Sequence, residues 1–323
     1  VPLTDGTRSA EVYGLAESGG GDPPVLYAAG FEKTGGTTVW ETGGIKAAMV
    51  WKIDGATVTP VPLTGGTREA EAWGITESGG SLYAAGYEYH SGTRVAMVWK
   101  ISGATVTPIT LAGGTRNAAA KGIAESGGSL YAAGVEENSG GAAPMVWKID
   151  GSTVTPVPLP GGTRYAEAWG LAESGGSLYA AGWELHTDDN WIATVWKIDG
   201  SAVTPVPLTG GRRPAQAWGV AAGGDSLYAA GKEYSGSHKW TATVWKIGGS
   251  RVTPIPLTDG TREAEAKGIA ESGSPPVLYA AGFELNGEGT FAALVWKIEG
   301  ARVTPIPLTG GTRNAGASAV IAP

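Results

Sequence analysis

The chain contains no cysteine, which excludes disulfide bonds, thiol nucleophiles and thiolate metal sites. It also has no concentrated positive charge, because 23 Lys and Arg are outnumbered by 30 Asp and Glu, for a formal charge of −7. A phosphate backbone is bound through a basic patch, so nucleic acid is not an expected partner. No apolar run approaches the ~18 residues of a membrane helix, so membrane insertion is not expected.

The first four residues, Val-Pro-Leu-Thr, lack the basic and apolar regions of a signal peptide. A chain that begins with Val rather than Met is expected to be processed or trimmed, with any export signal already removed. The absence of cysteine leaves the compartment open. We assign no location, with a slight preference for a secreted or cell-surface protein.

Glycine is abundant, at 54 of 323 residues, and the phrase Pro-Leu-Thr-x-Gly-Thr-Arg recurs along the whole chain. A repeat of this length is typical of solenoids, propellers and arrays. We expect one domain over residues 1–323, built from six copies and a partial seventh. The copies span residues 1–60, 61–108, 109–156, 157–205, 206–254 and 255–305, and the partial copy spans residues 306–323.

Four short strands are predicted in each copy. In copy two they cover residues 70–76, 81–87, 96–101 and 104–109, separated by turn signals such as Gly-Gly. No window shows apolar residues at helical spacing. The expected fold class is all-β, a six-bladed β-propeller with four antiparallel strands per blade.

Paired prolines indicate which strand lies at the outer edge. Pro60 and Pro62 are two residues apart in the fourth strand, so both lose their N–H on the same side, which is tolerated where that side faces solvent. The first strand, Ala-x-Ala-x-Gly, is then expected to lie where copies converge and only small residues fit. Its second variable position is occupied in turn by Tyr13, Trp73, Lys121, Trp169, Trp218 and Lys267.

The phrases Leu-Tyr-Ala-Ala-Gly-x-Glu and Val-Trp-Lys-Ile-x-Gly resemble a family of bacterial propeller-like repeats of the type Tyr-Val-Ala-Gly and Trp-Lys-Asn-Gly. The resemblance covers all six copies, although Ile-Asp-Gly replaces the Asn-Gly turn. It implies a propeller and a bacterial source. Since most of that family is uncharacterised, it implies no activity. Six-bladed fucose lectins share the copy number and the richness in tryptophan, but their motifs are absent.

The partial copy raises a question about how the repeat ends. Residues 315–321 repeat a first strand and would compete with residues 9–17 for one place in a closed ring of six. We consider three outcomes for this segment. It patches the seam, it hangs free, or it marks a cut from a longer array.

The loops between the second and third strands, which we call the variable loops, differ in every copy. They span residues 33–46, 89–94, 137–144, 185–190, 234–239 and 285–290. They lie at the same end of each blade as the loop that precedes each first strand, and function commonly resides on such loops. The candidate ligand-binding residues in and beside them are Trp40, Tyr89, His90, Trp183, His186, Trp191, Tyr234, His238 and Trp240.

A repeated set of charges accompanies these loops. An arginine follows each Gly-Thr or Gly-Arg turn and a glutamate ends each second strand, which predicts bidentate pairing, including pairing between neighbouring blades. A structural role is the main expectation, and a repeated pocket for a polar ligand is the functional one. The set comprises Arg68, Arg116, Arg164, Arg213, Arg262, Glu88, Glu136, Glu184, Glu233 and Glu284.

Catalysis is not favoured by these patterns. The carboxylates recur in tight turns, so no unique acid and base pair stands out, and Asp188 to Asn190 lack the further carboxylate of a calcium loop. We expect no cofactor and no metal. The expected function is binding, with carbohydrate as a candidate ligand, by a monomer. There are two alternatives. The chain is a scaffold for a protein or peptide partner, or it is an enzyme with a site at the mouth of the propeller's central channel.

Overall fold

A computed structural model describes residues 3–4, 8–18, 24–34, 44–112, 114–161, 165–186, 190–211, 213–236, 238–249, 251–273, 276–309 and 314–321. This part of the chain contains 24 β-strands, four in each copy. Within it, no helix is long and apolar enough to cross a membrane. The strands are β1 (Ala10–Ser18), β2 (Val25–Thr34), β3 (Ile45–Asp54), β4 (Thr57–Pro62), β5 (Ala70–Ser78), β6 (Ser81–His90), β7 (Thr93–Ser102), β8 (Thr105–Thr110), β9 (Ala118–Ser126), β10 (Ser129–Asn138), β11 (Gly141–Asp150), β12 (Thr153–Pro158), β13 (Tyr165–Ser174), β14 (Ser177–Leu185), β15 (Trp191–Asp199), β16 (Ala202–Pro207), β17 (Ala215–Gly223), β18 (Ser226–Tyr234), β19 (Trp240–Gly248), β20 (Arg251–Pro256), β21 (Ala264–Ser272), β22 (Val277–Leu285), β23 (Phe291–Glu299) and β24 (Arg302–Pro307).

Each copy folds as an antiparallel meander in which strands pair in chain order, and the arrangement is propeller-like, as predicted. The strands extend beyond the predicted bounds at the variable loops. In copy two, His90 pairs with Thr93 around Ser91 and Gly92, whose φ angles are 51° and 84°. Two consecutive positive φ angles favour a tight hairpin, so both strands continue to this turn.

The number of separate sheets differs from the prediction of one per copy. Four sheets have four strands (β1–β4, β5–β8, β17–β20 and β21–β24), whereas β9–β16 form one sheet of eight. The joining contact is a single parallel pair between Ala142 and Tyr165. Tyr165 makes this pair because β13 starts one residue earlier than the first strand of copy two, whose equivalent residue is Glu69.

The chain groups into two compact units, residues 1–139 with 145–157 and residues 140–144 with 158–323. In both units the tryptophan of each Val-Trp-Lys phrase is buried, at 0–1% exposure. Trp99 of copy two belongs to the same core cluster as Val50 of copy one. Tryptophan therefore fills the space between successive copies.

Glycines allow the first strands to approach each other and their own partner strands. A Cβ added at Gly74 would lie 2.9 Å from the carbonyl oxygen of Lys121 in the next copy. A Cβ at Gly86 would lie 1.9 Å from the carbonyl oxygen of Glu71 in the neighbouring strand. Neither position has room for a side chain, which confirms that the Ala-x-Ala-x-Gly strand lies where copies converge.

The fourth strand of each copy is an edge strand, as the prolines predict. Pro60 and Pro62 are both exposed and pair with Trp51 and Met49 of β3. The next donor, the N–H of Leu63, points inward to the carbonyl oxygen of Ala48 at 3.0 Å.

Residues 314–321 do not hang free. The N–H of Ala315 donates to the carbonyl oxygen of Phe291 (2.8 Å), and the N–H of Ala317 donates to that of Gly282 (3.1 Å). A Cβ at Gly268 would lie 2.9 Å from the Cα of Ala319, which matches the contact of Gly74 with the copy that follows it. This segment therefore occupies the position beside copy six that the first strand of a following copy would take.

Candidate functional site

Backbone hydrogen bonds hold the variable loops beside the loops that precede each first strand. The N–H of Tyr89 donates to the carbonyl oxygen of Glu69 (2.9 Å), and the N–H of Leu285 donates to that of Glu263 (2.7 Å). Each bond links the end of a second strand to the residue before the first strand of the same copy. We call the end of the copies where these two sets of loops meet the variable face.

In several copies the residue after the loop arginine ties one copy to the next. The N–H of Arg94, near the start of β7, donates to Oδ1 of Asn117 in copy three at 2.9 Å. The N–H of Phe291, at the start of β23, donates to Oδ1 of Asn314 at the same distance. Sequence reasoning passed over this position, although an Asn or Glu directly after the arginine was visible in copies two, three and six and in the partial copy.

The variable position of the first strand is a β-bulge in every copy. The register with the second strand shifts at this residue, so one extra residue is inserted against the partner strand. A bulge re-aims the side chain of the extra residue. The sequence revealed the variation at this position but not the bulge. The bulged residues are Tyr13, Trp73, Lys121, Trp169, Trp218 and Lys267.

A buried carboxylate lies between copies one and two. Glu71, at 5% exposure, accepts hydrogen bonds from Lys46 Nζ (2.7 Å), Trp73 Nε1 (2.9 Å) and the Tyr87 hydroxyl (2.8 Å). Burial, followed by the hydrogen bond to this carboxylate, raises the pKa of Tyr87. The Trp73 and Tyr87 ring centroids are 5.1 Å apart. The cluster holds two aromatic rings in fixed positions next to a charged pair.

A related arrangement occurs between copies five and six. Lys232 pairs with Glu265 of the following copy, as Lys46 pairs with Glu71. Its Nζ lies 5.2 Å from the ring centroid of Trp218 and 4.5 Å from that of Trp240, within the range of cation–π attraction. The glutamate in the first strand was not singled out from the sequence, although Ala-Glu-Ala recurs in copies two, four and six.

The loop tryptophans fall into two groups. Trp183 is 5% exposed and lies between Tyr165, stacked at 5.4 Å and 10°, and Trp191 at 4.4 Å, so it is a packing residue. Trp191 and Trp240 are half-buried and occupy the first position of their third strands. Tyr234 is also half-buried and packs edge-on against Trp240 at 5.3 Å. Trp40 lies outside the described residues.

The three histidines do not converge on one site. Nδ1 of His90 lies 3.3 Å from Arg68, and Nε2 lies 3.4 Å from Glu88, next to half-buried Tyr89. His186 is exposed and connects to the rest of its loop through its N–H, which donates to the carbonyl oxygen of Asn190. His238 is exposed at a φ of 61° and packs against Tyr234.

The predicted pairing of arginine with glutamate occurs in a weaker form. Arg68 approaches Glu88 through one nitrogen at 3.7 Å, within the same copy, so the bidentate pairing and the pairing between neighbours are wrong here. Arg213 and Arg262 lie near Glu233 and Glu284 of their own copies, and burial nevertheless raises the pKa of both carboxyls. Glu184 is buried and Glu136 half-buried, whereas Arg164 lies outside the described residues.

Cavities occur at several places in the described part of the chain. One of about 690 Å³ lies between copies one and two near the outer strand, away from the variable face. A polar cavity of about 360 Å³ on the variable face is lined by loops of copies two and three, including Arg116, Asn117 and Glu137. Here Nδ2 of Asn117 donates to Glu137 at 2.9 Å. A third cavity, of about 260 Å³, lies beside residues 314–318.

No group of three His, Asp or Glu side chains that could hold a metal ion occurs among the described residues. Asp188 and Asp189, considered above as cation ligands, lie outside them. The described side chains on the variable face are aromatic rings, cations paired with carboxylates, and amides. This combination suits binding of a polar ligand by stacking and hydrogen bonding.

Comparisons with known proteins support the fold alone. No family model matches the chain, and neither does any curated protein. Among solved structures, 309 chains match, and one is a puromycin-hydrolyzing peptidase from Mycobacterium tuberculosis. It is 13% identical with a TM-score of 0.61, over 99% of this chain and 49% of the peptidase chain. The chain thus spans about half of that protein, and the likeness supports a propeller-like fold.

Proposed function

We propose that the chain is a six-bladed propeller that binds a carbohydrate on its variable face and catalyses no reaction. The blade number is supported by the composition of the eight-stranded sheet. Strands β9–β12 and β13–β16 are two complete antiparallel meanders, and a single residue pair joins them. Counting each meander as a blade gives six, one for each sequence copy.

The observation that carries the proposed binding function is an aromatic residue at the same position in three consecutive copies. Trp191, Trp240 and Phe291 each begin the third strand of their copy. The two tryptophans are half-buried and Phe291 is 38% exposed, so part of each ring remains accessible. Aromatic residues with one apolar and one wet side are well suited to stacking against the apolar face of a sugar.

Hydrogen-bonding groups accompany these rings. Trp240 lies beside the Lys232–Glu265 pair, and Tyr165 donates its hydroxyl to Glu167 at 3.1 Å while 39% exposed. The polar cavity of copies two and three adds Arg116 and Asn117 on the same kind of loops. Repeated weak sites on one face would give multivalent binding, in which linked sites strengthen one another.

A glycan array followed by titration of the best ligand tests this proposal. The double variant Trp191→Ala, Trp240→Ala is expected to lose at least tenfold in affinity, since truncating a tryptophan that anchors a ligand costs about 2 kcal/mol or more. Ile45, an exposed apolar residue at the start of β3 in copy one, provides the control Ile45→Ala, expected to bind like the unmodified protein. The absence of any glycan ligand, or equal binding by the double variant, would contradict the proposal.

A second candidate, docking of a protein partner, is favoured by Leu308. This leucine is 55% exposed, whereas its counterpart Leu3 is half-buried and the others, Leu63, Leu111, Leu159, Leu208 and Leu257, are 4–7% exposed. An uncovered core position next to exposed Ile306 is typical of an interaction surface. Sedimentation of the unmodified protein and of its Leu308→Glu variant tests this candidate. Under our main proposal the protein is a monomer, so the unmodified protein and the variant are expected to sediment alike. An assembly that the substitution dissociates would instead favour docking.

A further inference from the structure

The cavity of about 260 Å³ beside copy six is lined by a cation, two aromatic rings and residues 314–318. Its side-chain walls are Lys267, Phe283 and Phe291. The two phenylalanine rings pack edge-on with centroids 4.8 Å apart, and Lys267 Nζ lies 5.6 Å from the centroid of Phe283. The volume approaches the lower end of the ~300–1,000 Å³ typical of small-molecule sites.

The corresponding place at two other junctions holds a carboxylate from the following copy. Glu71 is the second residue of its first strand and meets Lys46 of β3 in the preceding copy, whose Nζ lies 4.5 Å from the ring centroid of Phe31 in β2. Glu265, at the same position in copy six, meets Lys232 and lies beside Trp240. In both cases a carboxylate on a short aliphatic stem enters a setting formed by one cation and aromatic rings.

The junction beside copy six also has one cation and two rings, although its cation comes from the first strand rather than from the third (Lys46) or the second (Lys232), and it lacks the carboxylate. The segment Ala-Gly-Ala at residues 315–317 aligns with Ala-Glu-Ala, which places Gly316 at the position of Glu71 and Glu265. A Cβ at Gly316 would lie 3.5 Å from Cδ1 of Phe283, an ordinary contact, so the site has room for a side chain that is not there.

The charge of Lys267 is not used by the described part of the chain. This lysine makes no ion pair with a described residue, and Glu265, two residues earlier on the same strand, pairs with Lys232. Lys267 is half-buried, which weakens the screening of its charge by solvent. A half-buried ammonium group that forms no ion pair with a described residue and lies beside two rings is complementary to an anion with an apolar stem.

We propose that this cavity binds a short aliphatic carboxylate, which takes the position that the glutamate side chain has at the other junctions. The carboxylate would pair with Lys267, and its methylene groups would pack between Phe283 and Phe291. The same chemistry is offered by a free acid such as glutarate and by a glutamate side chain of a peptide. The inference does not depend on carbohydrate binding at Trp191 and Trp240.

Titration of the full chain with glutarate tests the proposal, with its neutral diamide as the control ligand. We expect millimolar binding of glutarate, at least tenfold weaker binding of the diamide, and a tenfold loss of glutarate affinity in Lys267→Met. Lys121→Met, which changes the same repeat position in copy three, should leave the affinity unchanged. A parallel titration with the capped peptides Ala-Glu-Ala and Ala-Gln-Ala distinguishes a peptide ligand from a free acid.

A second variant keeps the test decisive if Lys267→Met is poorly folded. Gly316→Glu supplies the missing carboxylate from the chain itself and should abolish glutarate binding. The proposal is overturned if glutarate and its diamide bind equally, if Gly316→Glu binds glutarate as the unmodified protein does, or if no binding is seen at about 10 mM ligand, ten times a millimolar Kd. Loss of glycan binding in the tryptophan variants with glutarate binding retained would separate the two sites.

Discussion

Replacing Glu71 by alanine should destabilise the protein more than the same change at any exposed glutamate. The substitution leaves three donors without their acceptor, the Lys46 ammonium at 2.7 Å, the Trp73 indole at 2.9 Å and the Tyr87 hydroxyl at 2.8 Å. Breaking a buried charge pair costs about 3–5 kcal/mol. Because the Lys46 side chain is 31% exposed, the ammonium is partly solvated, and we expect about 3 kcal/mol.

The repeat supplies a matched control for this experiment. Glu11 holds the same position in copy one, but it is exposed and accepts a hydrogen bond from the Tyr13 hydroxyl at 2.7 Å. We expect Glu11→Ala to cost less than about 0.5 kcal/mol, as is usual for exposed positions. Glu71→Gln keeps a hydrogen-bond acceptor but removes the charge, so its loss of unfolding free energy should lie between those of Glu71→Ala and Glu11→Ala.

Urea unfolding followed by tryptophan fluorescence measures these differences, since the free energy of unfolding falls linearly with denaturant. The reasoning is refuted if Glu71→Ala lies within about 0.5 kcal/mol of Glu11→Ala. A double-mutant cycle with Lys46→Met then isolates the charge pair. A coupling energy near zero would show that Lys46 and Glu71 do not stabilise each other.

Three further predictions follow from the repeat geometry. Gly86→Ala should strongly lower the free energy of unfolding in urea, because its Cβ would lie 1.9 Å from the carbonyl oxygen of Glu71. The control Gly65→Ala, which has open space around the Cβ, should be nearly neutral. Equal effects of the two substitutions would contradict the close approach at Gly86. Glu233→Gln should raise the free energy of unfolding more at pH 7 than at about pH 3.5. Burial raises the pKa of Glu233 in the folded state, so ionisation of this carboxyl as pH rises past its ordinary pKa of ~4.3 disfavours folding, and glutamine removes that cost. A difference between variant and unmodified protein that does not change with pH would count against this. Deleting the chain from Asn314 onward should increase amide exchange in β21–β23, since the segment covers Gly268 and caps Phe291, and unchanged exchange would argue against its role as the following first strand.

The sequence predicted the strand order well because each cue depends on local chemistry. Pro60 and Pro62 remove donors on one side of a strand, which identifies the edge without any knowledge of packing. Gly74 and Gly86 mark close backbone approaches for a similar reason.

The site was less predictable because it depends on contacts between copies. The bulge at Trp73 changes the direction of one side chain through a register shift that no residue type encodes. The role of Glu71 required knowing that Lys46 of the preceding copy comes within 2.7 Å. The prediction of bidentate arginine–glutamate pairs was wrong at Arg68, because this side chain is half exposed and approaches Glu88 through only one nitrogen.

The most direct test of carbohydrate binding on the variable face is to follow the tryptophan indole N–H signals by NMR during titration with the best glycan. The account predicts that the signals of Trp191 and Trp240 shift with ligand concentration. Those of the buried tryptophans, such as Trp99, should stay in place. Titration without any indole shift, or shifts confined to the buried tryptophans, would contradict it.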